Sequence, residues 1–166
     1  MQNLRMILFI EGQQPQTIEV SSQFTVGELL KKHVPQTAGK PDYEEDYEVY
    51  VLDKNEDLSK DKPLDKLKLK DDDALVVHRC KKVSVKVDYA GHSFIHDYSP
   101  ALKFEHVLKK ALDHFEIKGQ ERGDFQLFLT KDLSKVINLD YPIGAYSVYR
   151  DCKIEVYLSK PVANQG

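Results

Sequence analysis

Hydrophobic and polar positions change period in the same order twice along this chain. Residues 5–11 are apolar-rich and strand-like, residues 12–15 carry turn chemistry, and residues 16–20 alternate as a second strand. The period then lengthens. Val26, Leu29 and Leu30 fall on one helical face, and Thr25 with Glu28 three residues later forms a capping-box pattern. Pro35 ends that helix, and residues 39–46 read as a polar loop. Residues 47–52 predict a third strand, 63–69 a short irregular apolar segment, Asp71-Asp72-Asp73 a turn, and 74–79 a last strand.

The second half repeats this order. Val83, Val85 and Val87 alternate with polar residues and predict an inward-facing strand. Ala90-Gly91 turns the chain, and residues 93–98 return. Phe104, Val107, Leu108, Ala111, Leu112 and Phe115 have helical spacing, with Lys109, Lys110 and Asp113 on the opposite face. A polar loop covers 119–123, a third strand 125–129, and a last strand 154–158. Tyr141-Pro142-Ile143 parallels Lys62-Pro63-Leu64, and the polar turn 149–152 parallels 70–73. Each half therefore predicts a hairpin covered by one helix, with later strands joining the sheet around a single two-layer core. The domains expected are residues 1–80 and 81–160, followed by a flexible tail over 161–166. The link Cys80-Lys81-Lys82 is too short for free rotation of one domain against the other.

Composition narrows the class. A chain of 166 residues allows one large or two small domains, and 41% hydrophobic with 31% charged residues fits a soluble globular protein. No run of about 18 apolar residues predicts a membrane span, and no secretory pattern opens the chain. A net charge of −3 gives no argument for nucleic acid. Cys80 and Cys152 lie far apart, make no motif, and read as two unpaired thiols in a reducing cytoplasm. No histidine stands at zinc-like spacing from a cysteine or carboxylate, so neither metal nor cofactor is expected. Asp71-Asp72-Asp73 lacks the spacing and glycine of a calcium loop. With no catalytic constellation in view, the chain reads as a substrate of enzymes rather than an enzyme.

The hairpin-then-helix opening, the Pro63-Leu64 and Pro142-Ile143 segments, and the polar turn before each last strand resemble the ubiquitin-like β-grasp fold, present twice. The resemblance implies an α+β architecture, with each mixed sheet packed on one helix. Two fused domains ending in glycine resemble the interferon-induced tandem modifier of vertebrates. They resemble more closely the bacterial tandem ubiquitin-like proteins of antiphage conjugation operons. That likeness implies a protein modifier whose Gly166 carboxylate is activated and joined to a target by an isopeptide bond. Its partners would be an E1-like activating enzyme, an E2-like conjugating enzyme, a JAB-type deconjugating peptidase and the target protein, with the modifier itself a monomer. Glycine suits a carboxylate that must thread a narrow channel, because a side chain beside it would obstruct. The tail departs from the eukaryotic pattern in having a single glycine after Asn164-Gln165, and in Pro161, which stiffens its base.

Strand alignment with ubiquitin's apolar patch places Phe128, Tyr157 and Gly91, with Ala90, on an enzyme-binding surface of the second domain. Alternation puts Leu127 and Leu129 against the helix with Phe128 outward, and Val156 and Leu158 inward with Tyr157 outward. The competing expectation is that Phe128 and Tyr157 pack against the first domain. The matching first-domain positions are Tyr50 and His78. A non-conjugated tandem adaptor with an inert tail is the alternative function; a sulfur carrier is a third, disfavoured because it needs only one domain.

Overall fold

In the computed structural model, residues 2–34 and 47–161 are described. The expected helix stop at Pro35, the polar loop at 39–46 and the glycine-ended tail beyond Pro161 lie outside the described residues.

Two four-stranded mixed sheets form, each with one α-helix. In the first, β1 (Asn3–Ile10) and β2 (Gln16–Ser21) make the hairpin, α1 spans Val26–His33, and β3 (Glu48–Val51) and β4 (Ala74–His78) complete the sheet in the order β2-β1-β4-β3. β1 and β4 are parallel neighbours, with Ile7 opposite Ala74 and Phe9 opposite Val76. The second sheet repeats this arrangement with β5 (Val83–Tyr89), β6 (His92–Tyr98), α2 (Phe104–His114), β7 (Gln126–Phe128) and β8 (Lys153–Ser159), ordered β6-β5-β8-β7. Short 3-10 turns at Leu64–Lys66 and Ile143–Ala145 follow the two prolines that the repeat aligned. These are the two β-grasp domains expected from the pattern.

Local chemistry explains the helices. The α1 N-cap is Thr25, whose Oγ1 accepts the Glu28 N–H at 3.1 Å while the Glu28 carboxylate lies 3.3 Å from the hydroxyl. Val26, Leu29 and Leu30 are buried against Met6, Leu8, Ile18, Leu64 and Leu75 in one core. α2 buries Phe104, Val107, Ala111 and Leu112 in a second. Its N-cap, Lys103, supplies no side-chain cap. Its first N–H groups are satisfied within the domain, Phe104 N–H donating to Tyr141 O and Glu105 N–H to Leu139 O at 3.1 Å each, and Asp53 Oδ1 of the first domain accepts the Lys103 N–H at 3.2 Å.

The cysteines require a correction. Cys80 and Cys152 are not unpaired; they form a disulfide across a sequence separation of 72. The cause is the parallel pairing of β5 with β8. Cys80 precedes β5 and Cys152 precedes β8, so the parallel ladder sets their Cα atoms 5.7 Å apart. Separation along the chain concealed a proximity that the topology imposes. The cysteines therefore supply no argument for a reducing compartment. Cys80 is also buried within the second core.

The domains are docked. Phe9, Tyr50, Ala74 and Val76, on the outer face of the first sheet, form a third apolar cluster with Ala101 of the second domain, flanked by Tyr141 and Ala145. Phe9 meets Tyr141 edge-on, with ring centroids 5.1 Å apart. This covering explains why β4 is buried along its whole length: Leu75 and Val77 face the first core, and Ala74 and Val76 face the second domain.

Candidate functional site

The second domain presents the opposite surface. On β5 and β8 the positions matching Ile7, Phe9, Ala74 and Val76 carry Ser84, Lys86, Lys153 and Glu155, and those matching Glu11 and His78 carry Asp88 and Tyr157, all exposed or half-buried. Lys86 Nζ lies 3.2 Å from Glu155 Oε2, and the Tyr157 hydroxyl donates to Glu155 Oε1 at 2.9 Å. That bond, the neighbouring Asp88 and Lys86 hold the Glu155 carboxyl below its ordinary range. Burial and the nearby Glu155 push the Asp88 carboxyl up. Ile95, opposite Lys86 in the ladder, is 65% exposed on this face.

The β5–β6 turn explains Gly91. Ala90 and Gly91 both take left-handed backbone, with φ of 49° and 82°. Such a two-residue hairpin turn favours glycine for conformation. Space is not the reason, since a Cβ at Gly91 would meet nothing within 4 Å. Gly91 and Tyr157 line one groove of about 430 Å³, with Asp88, Lys131, Glu155 and Ser159. The groove thus lies beside the end of β8, where the tail departs.

Phe128 is placed differently from expectation. It is only 4% exposed, so it is not an outward aromatic anchor. The chain after β7 doubles back: Leu129 N–H donates to Lys135 O at 2.8 Å, Ile137 N–H donates to Leu127 O at 2.9 Å, and Phe128 bridges to Val136. Val136, at 56% exposure, is the apolar side chain that this return strand leaves at the surface. Neither Phe128 nor Tyr157 belongs to the interdomain cluster. Tyr50 and His78 are the residues that the docking buries.

The deepest polar group is at this interface. His78 is fully buried; its Nδ1 accepts the Cys80 N–H at 2.9 Å, which leaves Nε2 to donate to Ser147 O at 2.9 Å. Burial lowers its pKa, against the opposing pull of the Ser147 carbonyl and Glu11. The Glu11 carboxylate accepts from the Arg79 guanidinium and from Tyr149 N–H at 2.9 Å. Arg79 stacks on Tyr47 of one domain and Tyr149 of the other. Gly144 is required by contact, since a Cβ there would come within 2.7 Å of His78 Cδ2 and 3.0 Å of Pro100 O.

Asp53, Glu105 and His106 meet across the same boundary. Their ligand atoms lie within 4.8 Å of one another, close enough to hold a metal ion. Glu105 and His106 are exposed, and the Asp53–His106 hydrogen bond of 2.8 Å already accounts for the arrangement. Spacing did not reveal it, because Asp53 comes from the other domain. No helix among the described residues is long and apolar enough to cross a membrane.

Known proteins resemble this chain as follows. Residues 84–161 match the family model for BilA ubiquitin-like domain 2. With the duplicated strand order already in hand, that match decides the class. The chain is a tandem ubiquitin-like protein. No curated protein matches this tandem ubiquitin-like protein. Among solved structures, a phosphorylated Parkin–phosphoubiquitin–UbcH7 complex is similar at 14% identity and a TM-score of 0.39, over 50% of this chain and 25% of that one. The ubiquitin of Caldiarchaeum subterraneum is similar at 19% identity and a TM-score of 0.35, over 46% of this chain and 91% of that one. The tandem ubiquitin-like protein thus spans a quarter of the first and most of the second. Its fold assignment rests on its own topology and on the family model.

Proposed function

We propose that this tandem ubiquitin-like protein is a modifier conjugated through Gly166 in bacterial antiviral defence. An E1-like enzyme would adenylate the Gly166 carboxylate with ATP and carry it as a thioester. An E2-like enzyme would then join it to an amine of a target protein by an isopeptide bond, and a JAB-type peptidase would reverse the step. The observation carrying this reading is the match of residues 84–161 to BilA ubiquitin-like domain 2. The matched domain is the one whose last strand leads into the tail. The groove lined by Gly91, Tyr157 and Ser159 adjoins that exit and suits an enzyme that grips the domain while handling the tail. The chain is then a substrate of enzymes, and a cytoplasmic setting follows from the need for ATP.

Incubation with the activating enzyme and ATP should give a thioester, resolved as a reductant-sensitive band shift. Deletion of Gly166 should abolish it. Conjugation that survives the deletion would refute the assignment of Gly166.

A further inference from the structure

A second groove exists only because the domains are docked. It encloses about 390 Å³ between the end of β3, the turn before β4 and the segment before the Ile143–Ala145 turn. Its floor is apolar. Phe9 is buried there, while Ile7, Leu52 and Tyr141 at its margin remain half-exposed. This size is in the range of a pocket that takes a bulky side chain.

Its rim is acidic. Asp53, Asp72, Asp73 and Asp140 line it, against a single ammonium, Lys103. Asp72 is balanced from outside by Arg5, through a bidentate pair at 2.7 and 2.9 Å. Asp73 Oδ2 accepts the Lys70 N–H, a neutral donor. Asp53 is held by His106 and the Lys103 N–H. Asp140 is exposed and comes from the second domain, facing carboxylates supplied by the first. An apolar floor within a negative rim complements a bulky apolar side chain flanked by cations.

We propose that this interdomain groove docks a basic segment of a protein partner, with one bulky apolar residue seated against Phe9 and Tyr141 and flanking lysine or arginine side chains facing Asp73 and Asp140. The site needs both domains, which gives the tandem arrangement a use beyond carrying a tail. It stands independently of conjugation through Gly166.

The test is fluorescence anisotropy with the full chain and a fluorescein-labelled heptapeptide, Gly-Arg-Lys-Phe-Lys-Arg-Gly. Saturable binding is expected. Asp140→Lys should weaken it about tenfold and Lys103→Glu should tighten it about fivefold, both effects shrinking in high salt. Replacing the peptide's phenylalanine by serine should also weaken binding about tenfold. Equal affinity for the phenylalanine and serine peptides would show attraction by charge alone and overturn the groove. So would wild-type affinity in both variants, or no saturation up to about 1 mM peptide. Should Asp140→Lys fail to fold, Lys103→Glu and the serine peptide decide the matter.

Discussion

Reducing the Cys80–Cys152 disulfide should destabilise the second domain far more than any single surface change. The bond closes a loop with a sequence separation of 72, running from the start of β5 to the start of β8. Cross-linking removes conformations from the unfolded chain and so raises the free energy of unfolding. For a loop of this length the chain-entropy relation gives about 4 kcal/mol. At a urea dependence of about 2 kcal/mol per molar, the midpoint should fall by about 2 M. The assay is urea unfolding followed by far-ultraviolet circular dichroism, with and without a phosphine reductant, and thiol titration to confirm two free thiols. Cys152→Ala should reproduce the reduced chain. The effect should reach the first domain, because Phe9, Tyr50 and Val76 lose their cover when the second domain opens. A fully reduced chain with an unchanged midpoint would refute the reasoning.

Two further predictions concern the interface. Burial holds the His78 pKa below 6.5, so the unfolded chain binds a proton that the folded chain refuses. Stability should therefore be full above pH 6.5 and fall as the pH drops from there toward the lowered folded value; His78→Gln should flatten the melting temperature between pH 7.5 and 5.5, and an unaltered slope would count against it. Gly144→Ala puts a Cβ within 2.7 Å of His78 Cδ2, so the docked domains must shift; a loss of about 1–3 kcal/mol in urea unfolding is expected, and a neutral result would show that the interface yields freely.

Much of the fold was legible because each half states it independently. The capping pattern at Thr25, the valine alternation of β5 and the two proline segments all formed elements where the pattern put them. What escaped was the disulfide, the cover over Phe128 and the contacts between the domains. Residues 74–77 are apolar without alternation, which was a readable sign of a strand covered on both faces. The disulfide was hidden for a different reason. It follows from parallel pairing of the first and last strands, which the β-grasp resemblance already implied. Phe128 obeyed its alternation, facing away from the core cluster, yet is buried because the segment ending at Ile137 folds back on β7. Alternation specifies a face; it does not say what covers that face. The pairing of Asp53 with His106 required knowing that the domains dock. Gly91 and Tyr157 do share a groove, whereas Gly166 lies outside the described residues.

The two sheets have one topology and opposite outer faces, and this difference limits how a partner can use them. Where β1 and β4 carry Ile7, Phe9, Ala74 and Val76, β5 and β8 carry Ser84, Lys86, Lys153 and Glu155. The apolar face is consumed inside the molecule, closed over Phe9 and Tyr50 and locked at its edge by His78, Glu11 and Arg79. Beyond the margin that the interdomain groove leaves open at Ile7 and Phe9, a partner could read that face only by undocking the domains, which would strip Asp53 from α2 and expose the buried His78. Such a partner must supply enough contact to offset both. The polar face of the second domain carries no such penalty, and it adjoins the strand from which the tail leaves. A partner of the docked molecule therefore meets two sheet faces that are not equivalent.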